Sequence, residues 1–298
     1  MRYLRIFVKI LGERGTRQGA AWLWLRTAKL LGIAYNVKPN VVRTPMEVVY
    51  VVADKDIQTL ALSIASLEYL TDVAIARIVL VGPARSRVAQ FAVSGGYEFV
   101  DELDLLGFGP TRYRYPEPST ERSGWLYQQL LKLAWAKRCS TGAYLVVDAD
   151  TLFVGPVEFV AKGKYQFYLV EEWHQAYSAA VKQLLGMPDP SWLSFVAHMM
   201  VFDAAIVMEL LENLELRHGV AWHEAIASTR KLDNWSCFSE YQLYAAWARY
   251  KYPERCKIRP LYNRSMGRSI LGDEKRFRKF SKRLQTVSLH SYVPDGRP

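Results

Sequence analysis

The chain has 298 residues, of which 50% are hydrophobic, 13% aromatic and 23% charged; this excludes a disordered or fibrous protein and leaves room for one large α/β domain or two smaller ones. Its formal net charge of +10 points to an acidic partner: a nucleic acid, an anionic membrane surface or a phosphorylated substrate. Three cysteines, Cys139, Cys237 and Cys256, lack the short paired spacing of zinc or redox motifs and fit buried thiols in a reducing compartment.

From Met1 to Lys38 the basic residues are Arg2, Arg5, Lys9, Arg14, Arg17, Arg26, Lys29 and Lys38, against the single acid Glu13. Tyr3, Ile6, Phe7 and Ile10 share one helical face, as do Trp22, Leu25 and Lys29. Residues 1–44 are therefore expected to form a basic amphipathic helical segment, either packed on the domain or resting on anionic lipid headgroups. No signal-peptide cleavage pattern follows the basic start, and no apolar run reaches the roughly 18 residues of a membrane span. The expected location is cytoplasmic, with peripheral attachment to the inner membrane as an option.

The regular part begins with MEVVYVVADKD, a β-branched run suited to a strand buried on both faces. A helix follows over DIQTLALSIASLEYLT, with Leu60, Ile64, Leu67 and Leu70 spaced for burial. Next come the strand ARIVLVGP, the short helix ARSRVAQFAVSG and the strand YEFVDE; this alternation predicts a mostly parallel sheet flanked by helices. GFGPTRYRYPEPSTERSG reads as a long loop. The helix GWLYQQLLKLAWAKR then feeds the strand AYLVVDADTLFV. YQFYLVEEW and SFVAHMMVFD read as further strands, AAIVMELLENLELR and FSEYQLYAAWARYKYP as helices, and TVSLHSYVPDG as a short strand and turn. A second basic cluster, EKRFRKFSKR, runs from Glu274 to Arg283.

Asp148 and Asp150, at the end of a hydrophobic run, resist burial unless a cation, a positive side chain or water compensates them. In open α/β sheets ligands bind beyond the carboxyl ends of the strands, where this pair falls, and carboxylate oxygens suit Mg2+ or Mn2+. A haloacid-dehalogenase motif fails on spacing, because Thr151 directly follows the second aspartate. A calcium loop fails because Thr151, Leu152 and Phe153 follow in place of further acids and a glycine.

The stretch from Gly124 through Phe153 resembles the GT-A glycosyltransferases, in particular glycogenin-like and bacterial surface-polysaccharide branches, in which a helix leads into a strand ending Asp-Ala-Asp-Thr. GWLYQQLLKLA, VVDADTLF, FVAHMMVFD and FSEYQLY are also similar to a bacterial glycosyltransferase-like family. The resemblance implies a Rossmann-like GT-A domain over 45–298, between helical basic ends. It implies a nucleotide-sugar donor, UDP-sugar first, and Mn2+ or Mg2+ held by Asp148 and Asp150. It also implies His290 as a third ligand or diphosphate contact, set against a hydrogen-bonded core histidine, and the Gly and Lys-Pro-Trp pattern that follows this histidine in the family is missing.

On the same resemblance, Asp54 contacts the nucleotide and Lys132 faces the donor, each with an ordinary alternative as a cap or a solvated lysine. Arg264 and Arg268, in the flexible-looking loop NRSMGRS, suit pyrophosphate. Glu240 is the first candidate for a catalytic base, with Glu171 and Glu172 as alternatives near an acceptor cleft lined by Trp173 and His174. His198 is a candidate sugar contact, set against a structural histidine in an apolar strand. The expected acceptor is a surface glycan, free or lipid-linked. A nucleic-acid-binding protein and an inactive GT-A-like scaffold are the alternatives; against the first, the charge sits at the termini and no nucleic-acid-binding signature appears.

Overall fold

A computed structural model describes residues 16, 18–31, 45–71, 73–115, 122–171, 173–189, 194–232 and 237–290. Helix α1 covers residues 18–30. Residues 1–15, 17 and 32–44 of the N-terminal segment, and Glu172, lie outside the described residues.

The central sheet is built from β1 (Met46–Val51), β2 (Ile75–Gly82), β3 (Glu98–Asp101), β4 (Ala143–Val147) and β8 (Met199–Asp203), in the order β3-β2-β1-β4-β8. The first four run parallel, and β8 pairs antiparallel with β4. Parallel strands buried on both faces need apolar residues at successive positions, which the valine-rich runs of β1 and β4 supply. Alternate residues then serve opposite faces. Val49, Val51, Val79, Val81, Tyr144 and Val146 join one core, and Val48, Tyr50, Leu80, Leu145 and Val147 join the other.

Helices α2 (Ile57–Leu70), α3 (Arg87–Gly95), α4 (Glu102–Leu106) and α5 (Arg122–Ala134) connect or flank the parallel strands. After β4 come β5 (Thr151–Phe153), β6 (Val160–Ala161), β7 (Lys164–Leu169) and α6 (Gln175–Leu185). Beyond β8 follow α7 (Ala204–His218), α8 (Trp222–Ala227), α9 (Glu240–Lys251), β9 (Cys256–Pro260), β10 (Asn263–Met266), α10 (Glu274–Ser281) and β11 (Thr286–Leu289).

Asp203 caps α7, accepting from the Ala205 and Ile206 N–H groups, and the Ser239 hydroxyl accepts from Gln242 N–H at the start of α9, so both helix entries obey ordinary capping chemistry. The sequence-based picture is corrected at several places: AYLVVDADTLFV is not one strand but β4 and β5, in separate sheets. SFVAHMMVFD is a strand only from Met199, and it runs antiparallel; the NRSMGRS segment is not a loop but β10 followed by a 3-10 turn at Arg268–Gly272.

Helix α1 packs into the domain core through Ala21, Trp22 and Leu25. The Tyr262 hydroxyl donates to the Ala28 carbonyl at 2.8 Å, and Lys29 reaches Glu171 at 2.9 Å. This part of the basic N-terminal segment is thus continuous with the domain. Among the described residues no helix is long and apolar enough to cross a membrane.

Candidate functional site

Strand order reverses between β1 and β4, because β2 and β3 extend the sheet to one side of β1 and β4 and β8 to the other. A crevice opens at such a switch point, beyond the carboxyl ends of the two strands. Asp148 and Asp150 follow β4 there, and Asp54 and Asp56 follow β1.

Two antiparallel pairings bring histidines to the acids. Val147 of β4 faces Met199 of β8, so the next residues outward, Asp148 and His198, become neighbours. The Asp148 N–H donates to the His198 carbonyl at 2.9 Å, and His198 Nδ1 lies 3.0 Å from Asp148 Oδ2. In the same way β11 pairs antiparallel with β5, the Leu289 N–H donates to the Asp150 carbonyl at 2.8 Å, and His290 Nδ1 lies 3.1 Å from Asp150 Oδ2. The two imidazole centroids are 5.0 Å apart. His198 has a left-handed backbone (φ 63°), a conformation that costs a non-glycine residue about 1–3 kcal/mol and is enriched at functional sites.

Behind this pair of acids lies a buried charge cluster. Lys132 Nζ donates to Asp148 Oδ1 at 2.6 Å and to Glu240 Oε1 at 2.7 Å, and the Tyr241 hydroxyl donates to the same Asp148 oxygen at 2.8 Å. Gln129 Oε1 accepts from the Glu240 N–H at 3.1 Å, which joins α5 to the first turn of α9. One ammonium shared by two carboxylates sets the titration of all three groups. Burial alone would raise the Asp148 carboxyl, yet the Lys132 charge and the His198 contact hold it well below the usual carboxylate range. Burial works against the Lys132 ammonium, and the two carboxylates more than offset it, so its pKa lies above the ordinary lysine value. The Glu240 carboxyl is pushed up, chiefly by burial and further by Asp148, with Lys132 opposing.

Exposure separates the layers. The side chains of Asp148 and Asp150 are 24% and 19% exposed, whereas those of Lys132 and Glu240 are 7% and 3% exposed. The two aspartates form the accessible lip, and Lys132 and Glu240 form its support. Lys132 is shared between Asp148 and Glu240, and the Glu240 carboxylate is engaged by Lys132. Glu171 likewise has its carboxylate on Arg26 and Lys29.

The other predicted residues rim the crevice or stand off it. Asp54 accepts from the Val88 N–H at 3.2 Å, so it serves the N-terminal turn of α3 from an exposed position. Arg268 pairs with Asp56 and donates to the carbonyls of Lys55 at 2.7 Å and Leu289 at 3.2 Å, tying the β1 loop to the strand that presents His290. Arg264 lies in β10 opposite Val287 of β11. Sequence reasoning missed Tyr241, for which no motif existed, and the partnership of His198 with Asp148, which depends on the direction of β8.

Among the described residues no group of three or more His, Cys, Asp and Glu side chains is arranged to hold a metal ion. Within each pair the imidazole nitrogen and carboxylate oxygen stand at hydrogen-bond distance, 3.0 and 3.1 Å. Carboxylate oxygen with imidazole nitrogen is a donor set that Mn2+ accepts. Next to Asp150, the fully buried Thr151 hydroxyl has no hydrogen-bond partner among the described residues.

The fold places two Asp–His pairs and a buried Lys–Asp–Glu cluster where the sheet changes direction. Residues 23–285 match the model of a family of unknown function (DUF6492), and the chain belongs to that family. No curated protein matches the sequence. Among solved structures, mouse xyloside xylosyltransferase 1 in its apo form is similar at 11% identity and a TM-score of 0.45, over 85% of this chain and 99% of that one. The galactosyltransferase LgtC in complex with donor and acceptor sugar analogues is similar at 12% identity and a TM-score of 0.43, over 83% of this chain and 88% of that one. At this distance neither likeness tells what the chain acts on.

Proposed function

We propose that this protein is a glycosyltransferase that moves a sugar from a nucleotide-diphosphate donor, a UDP-sugar first, to a glycan acceptor of bacterial surface polysaccharide, free or lipid-linked. The observation that carries it is the meeting of Asp148 with His198 and of Asp150 with His290 at the switch point of the sheet. Three carboxylates, Asp148, Asp150 and Glu240, against one lysine would repel a bare diphosphate. Asp148, Asp150 and His290, with His198 beside them, are the residues that would hold Mn2+ or Mg2+. When bound, the ion supplies positive charge against the diphosphate of the departing nucleotide.

The protein's own residues do the remaining work. Lys132 fixes the Asp148 carboxylate in its ionised form and in one orientation, and Tyr241 adds a second donor to the same oxygen. Glu240 acts through Lys132, as a positioning residue. Arg268 holds the β1 loop against the end of β11, which keeps His290 at the crevice. Glu171 and Glu240 are both engaged by cations, so proton acceptance is assigned to neither.

The test is hydrolysis and transfer of nucleotide sugars by wild-type protein and by Asp148→Ala and Asp150→Ala variants with unchanged folding. Each substitution should lower metal-dependent turnover at least about 100-fold. Turnover unchanged in both variants would overturn the site.

A further inference from the structure

Among the described residues, helix α1 has two apolar faces and only one of them is covered. Trp22, Leu25 and Ala28 are buried against the domain. The outward stripe, Ala20, Leu23, Trp24, Thr27, Leu30 and Leu31, follows helical spacing and carries no charge. Leu23 is 50% exposed, Trp24 46%, Leu30 88% and Leu31 67%. A surface helix ordinarily turns charged and polar residues outward, and one that is apolar all round has something on both sides.

The surrounding charge selects the occupant. Tyr262 donates from its hydroxyl to the Ala28 carbonyl at 2.8 Å, while its own carbonyl accepts from the Gln285 N–H at 2.8 Å. The end of α1 is therefore joined through one residue to the segment that follows α10; Lys275 and Lys279 of α10, and Lys282 and Arg283 just after it, are exposed. In sequence, α1 is also preceded by Arg2, Arg5, Lys9, Arg14 and Arg17 with only Glu13 in opposition. Glu171, which pairs with α1, is already neutralised by Arg26 and Lys29. A second copy of a chain with a net charge of +10 would bring like charge to like charge at this edge. An anionic bilayer matches both features: an apolar stripe for the acyl boundary and basic residues for the headgroups.

We propose that the outward stripe of α1, together with the basic residues of α10, seats this protein on an anionic lipid surface. Bilayer binding needs no nucleotide sugar, so it stands or falls apart from the transfer reaction.

The test is co-sedimentation of the full chain with vesicles of phosphatidylcholine alone or of equimolar phosphatidylcholine and phosphatidylglycerol. Binding should favour the anionic vesicles at least about tenfold and weaken as salt is raised. The double variant Trp24→Ser, Leu31→Ser should bind at least about tenfold more weakly, since each side chain loses its apolar burial, while unfolding at an unchanged temperature. The triple variant Lys279→Glu, Lys282→Glu, Arg283→Glu, which leaves the stripe intact, should lose the preference for phosphatidylglycerol. The proposal is overturned if wild-type protein does not bind anionic vesicles, or if the Trp24, Leu31 variant binds as wild type. It is also overturned if that variant unfolds at a lower temperature, which would mean the chain itself covers the stripe, or if it dissociates a wild-type dimer.

Discussion

Replacing Lys132 with methionine removes the one cation that Asp148 and Glu240 share while roughly keeping the volume of the side chain. In the wild-type protein the ammonium lies 2.6 Å from one carboxylate and 2.7 Å from the other, in a pocket where its side chain is 7% exposed. Breaking a buried ion pair from one side leaves an uncompensated charge and costs about 3–5 kcal/mol, so Lys132→Met should lose about that much in urea unfolding at neutral pH.

The signs of the shifts add a pH signature. Asp148 titrates below its unfolded value, so its contribution is present above about pH 4 and fades only as the pH falls below that. Lys132 titrates above its unfolded value, so its contribution is complete below about pH 10 and fades above it. Glu240 is already pushed upward, and without the lysine it takes up a proton more readily. The deficit of Lys132→Met should therefore shrink as the pH falls from about 7 toward about 5, and the double variant Lys132→Met, Glu240→Gln should recover at least about 1 kcal/mol of the loss. A cost below about 1 kcal/mol that does not change with pH would refute the shared-lysine cluster.

Two further outcomes follow from the packing. Leu25 of α1 is fully buried in the main core, so Leu25→Ala should destabilise the whole domain by about 2–5 kcal/mol, read as a single shifted unfolding transition and not as a separate early one. Burial raises all three thiols, Cys256 to about 11, which leaves on the order of a thousandth of it as thiolate at pH 8. Iodoacetamide followed by mass spectrometry should label the three cysteines slowly in native protein and rapidly in urea.

The parts of the fold that could be read from the chain are those in which a local pattern decides the outcome. The valine runs of β1 and β4 have to be buried on both faces, and Leu60, Ile64 and Leu67 mark the inner side of α2. Asp148 and Asp150 were legible for a related reason: two acids after such a run need a neutralising group wherever the strand ends. What neutralises them was not legible, because it depends on pairings far apart in sequence. His198 reaches Asp148 only because β8 runs antiparallel to β4, and nothing in FVAHMMVFD states its direction. Lys132 has the spacing of a helix residue free to point anywhere, and its aim is fixed by Glu240, 108 residues later. The NRSM strand was missed because three polar residues and one buried methionine carry no periodic signal, and its existence depends on the parallel partner β11. His290 was named from family resemblance, and its contact with Asp150 follows from the β5 and β11 register.

The central claim is that Asp148 and Asp150 form a site for a nucleotide diphosphate together with a divalent cation. The most direct measurement is the thermal unfolding of the wild-type protein and of Asp150→Asn with Mn2+ alone, UDP alone and the two together. A ligand present at about 100 times its dissociation constant adds about 2.7 kcal/mol to the native state. Wild-type protein should be stabilised by the pair well beyond the sum of the separate effects, and Asp150→Asn should lose that excess. No joint effect in the wild type, or an equal one in Asp150→Asn, would contradict the account.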